Sequence, residues 1–364
     1  MNFPDNFFRR KRVFITGHTG FKGSWLCLFL HKLGADIYGY ALNPPTEPSL
    51  FKLAHIDGFV SSVIGDIRDL NQLRETIQQV QPEIVIHMAA QPLVRESYIH
   101  PIETYETNVI GTANLLEACR NIPSIKAIVN VTTDKCYENK EWFWGYRENE
   151  PLGGHDPYSS SKACSELVTS AYRNSFFSPK DYHEHGIAIA SARAGNVIGG
   201  GDWAEDRLIP DFIRALLQKK QVTIRNPYAI RPWQHVMEPL TGYLMLAERL
   251  YSEGTVFGEA WNFGPDDNDA QNVEWVIKTI CDLWGNDASY AVESNNQQPH
   301  EATYLKLDCS KAKVKLGWHP VWNIQKALQA VVEWNKAYFE GAEMKSITEK
   351  QIDEYLQSLN DIKR

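Results

Sequence analysis

Short apolar, β-branched runs recur through the first half of the chain, and amphipathic stretches separate them. Arg12-Val-Phe-Ile-Thr16 predicts a fully buried first strand, followed by a helix over 24–33. A second strand is expected over 35–42 and a short third over 62–64, ending at Gly65-Asp66. Helix Leu70–Val80 follows, then a fourth strand over 83–88 and a helix over 102–119. Runs at 127–131 and 187–192 complete six strands. This alternation predicts a doubly wound parallel α/β sheet of Rossmann type. After Arg193 the pattern breaks into Gly-rich loops, aromatics and shorter elements. The sheet domain is therefore assigned to 1–193, with returning segments within about 230–260. A smaller, interleaved C-terminal substrate-binding region takes 194–229 and 261–345, and 346–364 reads as a polar, helical, peripheral tail.

Thr16-Gly17-His-Thr-Gly20-Phe-Lys-Gly23 joins the first strand to the first helix as a G-x-x-G-x-x-G loop. Glycines permit a tight turn and close approach of backbone to a pyrophosphate, which the free N–H groups of the helix start then face. Asp66-Ile67, after the third strand, is a candidate pair for an adenine, with the carboxylate at its amine and the isoleucine on its ring. Ala89-Ala90-Gln91 supplies small residues where a cofactor must pass the backbone. The acidic residue that commonly follows strand two is missing from Tyr40-Ala41-Leu42-Asn43, and so is an arginine. Residue chemistry thus points to a dinucleotide and leaves NAD and NADP unresolved.

The densest chemistry lies between 132 and 162. Thr133-Asp134-Lys135 closes the fifth apolar run, and Tyr158-Ser-Ser-Ser-Lys162 opens a helix. Tyr and Lys four apart share one helix face. An ammonium beside a phenol favours the phenolate, and the expectation is a lowered pKa suited to a base for a sugar hydroxyl. Asp134 and Lys135 add two ionisable groups beyond what hydride transfer needs.

Composition narrows the class. A net charge of -8 without a basic stretch argues against nucleic-acid binding. Cys27, Cys119, Cys136, Cys164, Cys281 and Cys309 form no C-x-x-C pair and read as reduced, buried thiols. No signal sequence and no membrane-spanning run is recognised, so a soluble cytoplasmic protein is expected. His18, His87, His235 and His300 show no metal-ligand spacing, and no metal is predicted. Trp233, Trp261 and Trp318 are expected in the core.

Gly17, Gly20 and Gly23, Thr133 and the Tyr158–Lys162 pair resemble the extended short-chain dehydrogenase/reductase family over nearly the whole chain. Thr-Asp plus an ionisable residue after strand five is similar to its nucleotide-sugar 4,6-dehydratases. Lys135–Trp142, Arg193–Trp203, Ile230–Val236 and Pro299–Cys309 are long, idiosyncratic strings that resemble the branch acting on CDP-glucose. The resemblance implies NAD as cofactor and CDP-glucose as substrate; nothing in the residue chemistry selects the cytosine base. It implies catalysis by Thr133, Asp134, Lys135, Tyr158 and Lys162. The implied cofactor set is Gly17, Thr19, Gly20, Phe21, Lys22, Gly23, Asp66, Ile67, Ala89, Ala90, Gln91, Thr132, Tyr158 and Lys162. Gln91, Asn108, Asn196 and Arg231 are expected at the substrate. Asp134 is the expected acid toward the C6 oxygen. Many dehydratases carry Thr-Asp-Glu with the glutamate as C5 base, whereas this chain has Lys135. A lysine acts as base only when burial or a cation depresses its pKa from about 10.4, and the alternative is a Lys135 that pairs with Asp134. Rival readings are a nucleotide-sugar 4-epimerase and a catalytically silent NAD(P)-binding regulator. A homodimer or a tetramer is expected, through the apolar faces of the helices at 102–119 and 158–176.

Overall fold

The structure is a computed structural model describing residues 3–4, 6–218, 220–224, 226–285, 288–292 and 304–361. Its centre is a seven-stranded sheet in which every neighbouring pair runs parallel. The strands are β1 (Arg12–Thr16), β2 (Asp36–Ala41), β3 (Ser61–Ile64), β4 (Ile84–His87), β5 (Ala127–Thr133), β6 (Ala188–Ala194) and β7 (Ala260–Phe263). Their spatial order is β7-β6-β5-β4-β1-β2-β3. The chain reverses direction of growth between β1 and β4, and in such sheets ligands bind outside the carboxyl ends at that point.

Alternate residues of each buried strand face opposite helical layers, as the period of two requires. Val13 and Ile15 join the core beneath helix α1 (Phe21–Lys32), while Phe14 joins the one beneath helix α2 (Leu70–Val80). Helix α1 begins three residues before the expected start, so Gly23 lies in its first turn. There a Cβ would stand 2.2 Å from the Gly17 carbonyl oxygen.

The helix expected over 102–119 is interrupted. Helix α3 (Val94–Ile99) precedes α4 (Pro101–Tyr105), a π turn at Glu106–Ile110 and α5 (Gly111–Cys119). π turns of this kind re-aim side chains, and this one carries Asn108. Helix α6 (Pro157–Ser175) starts cleanly because Asp156 accepts from the Ser159 amide at 2.9 Å and Pro157 takes the first position.

Two expectations are corrected here. Trp261, Asn262 and Phe263 belong to the main sheet as β7, beside β6, rather than to the substrate region. Only four residues long and lacking alternation, that strand gives no periodic signal. Nor is the tail peripheral. Helix α7 (Leu208–Leu217) and helix α8 (Met237–Glu253) come first, then α9 (Val273–Trp284), α10 (Ile324–Phe339) and α11 (Met344–Asp361). In α11, Met344, Ile352, Tyr355 and Leu359 are buried in the first core, and Tyr355 donates to buried Glu238 at 2.7 Å. Apolar residues every three or four positions bury one face of an otherwise polar helix.

A separate core gathers Ile209, Phe212 and Ile213 of α7, Val276, Ile277 and Ile280 of α9, Leu328 and Val331 of α10, and Trp233 from the segment before α8. Trp261 and Trp318 are buried as expected, and Trp233 nearly so. Among the described residues no helix is long and apolar enough to cross a membrane.

Candidate active site

A large cavity, about 2310 Å³, opens across the carboxyl ends of the strands between the sheet and the second core. Drug-sized pockets span roughly 300–1,000 Å³, so this one has room for two nucleotide-sized ligands. Gly17, Thr19, Gly20, Phe21, Lys22 and Gly23 form one wall. Gly17 has φ +76, and a Cβ there would lie 2.8 Å from the Ala89 amide nitrogen. At Gly20 a Cβ would meet only the Gly17 carbonyl oxygen, at 3.5 Å, so the backbone faces open space. No side chain caps the start of α1, which leaves its N–H groups for a ligand. Thr19 donates to the Leu42 carbonyl at 2.9 Å and thereby fixes the loop to the end of β2.

Farther along, Asp66, Ile67, Ala89 and Ala90 line the same wall. Arg68 holds the Asp66 carboxylate through its Nη2 at 2.6 Å and its Nε at 3.0 and 3.1 Å, and this hydrogen bonding lowers the acid's pKa. Gln91 is absent from the wall. Its amide donates to Thr104 Oγ1 and the Leu93 carbonyl and accepts from the Leu93 N–H, closing a turn. Asn108 is likewise withdrawn: it accepts from the Gln91 amide at 2.9 Å and donates to Ser161 Oγ at 2.8 Å. Both side chains, expected at the substrate, are thus engaged in hydrogen bonds within the protein. The π turn places Asn108 as a brace between the β4 loop and α6. Thr132 lines the cavity, but its hydroxyl is directed to Glu166 at 2.5 Å.

Tyr158, Lys162 and Glu166 lie on one stripe of α6, and all three are buried. Tyr158 does not have the lowered pKa expected of it. Burial pushes the phenol up to about 12, opposed by a hydrogen bond with Thr133 and the charge of Arg207. Lys162 sits below, its ammonium aimed at the Val131 carbonyl at 3.4 Å, and burial brings it down to about 8. Spacing puts Lys162 one turn after Tyr158 on the same helix face, but it is desolvation that dominates the phenol.

Asp134 is 1% exposed. One carboxylate oxygen accepts from Thr133 Oγ1 at 2.9 Å, and the other has no partner among the described residues. Burial raises its pKa, against the charges of Lys135 and Arg231 and the Thr133 bond. Among the described residues no ion pair joins Lys135 to Asp134; the Lys135 ammonium instead lies 6.0 Å from the centre of the Tyr158 ring. Asn196 and Arg231 line the cavity as expected.

Several cavity residues were not legible in the sequence. Arg207 pairs with Asp202 at 2.9 Å and acts on both Tyr158 and Lys22. Arg95 reaches Asp206 at 2.7 Å across the cavity mouth. Lys22, by contrast already expected in the cofactor set, approaches the Tyr243 hydroxyl at 3.4 Å, and burial with the charges of Arg207 and Lys162 lowers it to about 7. The loop carrying Asp202 and Arg207 is irregular, so no periodicity flagged it. Residues 299–303, including His300 and the start of the fourth resembling string, lie outside the described residues.

Residues 14–331 match the family described as GDP-mannose 4,6 dehydratase. The chain belongs to this family. CDP-glucose 4,6-dehydratase of Salmonella typhimurium is 59% identical over 351 residues, covering 96% of this chain and 98% of that protein. A dTDP-glucose 4,6-dehydratase of Xanthomonas campestris is 26% identical, over 90% of this chain and 94% of that one. Among solved structures, dTDP-glucose 4,6-dehydratase of Bacillus anthracis superposes with TM-score 0.72 at 24% identity, covering 92% of this chain and 99% of that one. UDP-glucose 4-epimerase of Thermotoga maritima gives 0.77 at 22%, over 90% and 99%. Likeness of that degree shows a shared Rossmann-type fold.

Proposed function

We propose that this protein dehydrates CDP-glucose to CDP-4-keto-6-deoxyglucose, with NAD as a cofactor regenerated in each turnover. One observation carries the reading: a buried carboxyl, Asp134, with a raised pKa and an unpartnered oxygen, stands beside Thr133 and Tyr158 in the cavity wall. An enzyme that only oxidised and re-reduced C4, such as a 4-epimerase, needs no such acid.

The glycine cradle fits NAD, because Cβ atoms at Gly17 and Gly23 would collide with backbone and Gly20 presents backbone to open space. Gly17, Thr19, Gly20, Phe21, Lys22 and Gly23 would hold its pyrophosphate end, Asp66 and Ile67 its adenosine, and Ala89, Ala90, Thr132 and Lys162 the remainder. When bound, NAD supplies the acceptor for the C4 hydride and the donor that returns it to C6. Tyr158 first gives up its own proton to solvent and, as the phenolate, takes the C4 hydroxyl proton, with Thr133 bonded to the same oxygen. The ketone acidifies the C5–H bond; Lys135 takes that proton while Asp134 gives its own to the departing C6 oxygen. Asn196 and Arg231 anchor the diphosphate, Arg231 as a guanidinium fork.

The second core forms the substrate-binding region in this reading, and the cytosine preference rests on likeness to the Salmonella protein. Tyr98, Ile99, Ile102, Ile110, Leu167 and Phe176 stay exposed on α3–α6 and the residues joining and following them. Exposed apolar side chains concentrated on these helices support a homodimer through them, which sedimentation would test. For the activity itself, CDP-, dTDP-, UDP- and GDP-glucose are incubated with NAD and the 4-keto sugar followed by NMR. CDP-glucose is expected to turn over fastest. Faster turnover of another nucleotide would reject the base assignment, and a 4-epimer product would reject the dehydratase reading.

A further inference from the structure

We propose that Glu166 is a positioning residue for the Tyr158–Lys162 pair, holding the Lys162 ammonium charged from one helical turn below. The inference rests on the reading of Tyr158 and Lys162 given above. Tyr158, Lys162 and Glu166 follow at intervals of four on α6, so their side chains form one stripe facing the ends of β5 and β6. Glu166 is 4% exposed, and both its oxygens are fully engaged. Oε1 accepts from Thr132 Oγ1 at 2.5 Å and Arg193 Nε at 2.9 Å; Oε2 accepts from Ser191 Oγ at 2.6 Å and Arg193 Nη2 at 2.9 Å. One carboxylate thus binds α6 to β5 and to β6 directly beneath Thr133.

Other groups face Lys162 from each neighbouring element. Cys136 after β5, His87 at the end of β4 and Lys22 of the glycine loop interact electrostatically with Lys162, while Asp134 also follows β5 and Tyr158 lies one turn earlier on α6. Of these, His87 is held neutral at about 3 by its burial, Lys22 is itself a cation, and Cys136 is a thiol pushed up by burial. Asp134 is raised toward its neutral form. Glu166, whose own pKa is lowered by Arg193, is the carboxylate left to oppose the burial of Lys162. Lacking it, the ammonium loses its proton at lower pH.

The test measures Lys162 directly in the substrate-free protein, by trace labelling of amines at a series of pH values and mass spectrometry of the Lys162 peptide. Wild type is expected to titrate near 8. Glu166→Gln, and Glu166→Gln with Arg193→Gln where the single change fails to fold, should titrate roughly one unit lower. Glu166→Asp should restore the wild-type midpoint. An unchanged midpoint in the folded Gln variant overturns the proposal, leaving Glu166 a structural brace. Because labelling needs no turnover, this outcome is separable from a failure of the dehydratase reading, which the product assay reports. Should both hold, the alkaline limb of kcat/KM moves down with the Lys162 midpoint.

Discussion

Asp134 and Glu166 are two buried carboxylates flanking the same end of β5, and they titrate in opposite directions. Asp134 has one hydroxyl donor and an unpartnered oxygen, and its pKa rises. Glu166 accepts from two hydroxyls and a forked guanidinium, and its pKa falls despite equal burial. Burial alone therefore predicts neither charge state; what decides is whether donors and a cation replace the lost water. The satisfied carboxylate holds the helix, and the unsatisfied one is left able to give a proton.

Replacing each acid should give opposite results. Asp134→Asn keeps the shape and removes the proton donor. Dehydration should fall by about 10²–10⁴-fold, with the thermal midpoint unchanged or raised in calorimetry, because a poorly solvated acid has been removed. A large loss of stability would place Asp134 in the same structural class as Glu166. Glu166→Leu strands the Arg193 guanidinium, 3% exposed, and should lower stability by about 3–5 kcal/mol in denaturant unfolding. Adding Arg193→Met should recover most of that loss.

A third buried carboxylate sharpens the contrast. Glu238 accepts from the Val321 and Trp322 amides and the Tyr355 hydroxyl, but no cation contacts it among the described residues. Burial raises it from 4.5 to about 7. A raised folded pKa means stability that is present below pH 4.5 and lost as pH climbs to about 7. The loss is on the order of 3 kcal/mol. Unfolding measured from pH 4.5 to 8 should show it, and Glu238→Gln should flatten that slope. Three donors without a counter-charge thus still leave a buried carboxyl raised. The smallest expected effect is at Lys135: Lys135→Ala should retain NAD binding by calorimetry and lose dehydration by about 10²-fold. Wild-type turnover in that variant would remove it as the C5 base.

Much of this arrangement was readable in advance, and the failures have physical causes. β1 and the helix over Leu70–Val80 fall where the pattern put them, because one is a bounded, continuously apolar run and the other strongly amphipathic. The glycine loop and the Tyr158–Lys162 spacing were equally legible, since local geometry fixes both. Gln91 and Asn108 were less legible because an amide suits a ligand and a turn equally well, and their internal hydrogen bonds depend on the π turn at Glu106–Ile110, which no local pattern announces. The Tyr158 pKa was misjudged because spacing reports a neighbour's charge but not the loss of water around the phenol. Arg207 and the Glu166–Arg193 pair depend on contacts between segments far apart in the chain, which no local pattern encodes.

The central claim is tested most directly with CDP-glucose carrying deuterium at C4, incubated with the protein and NAD. The product should be CDP-4-keto-6-deoxyglucose with the deuterium at C6. Deuterium retained at C4 of a sugar with inverted configuration there, or no conversion of CDP-glucose at all, would contradict the account.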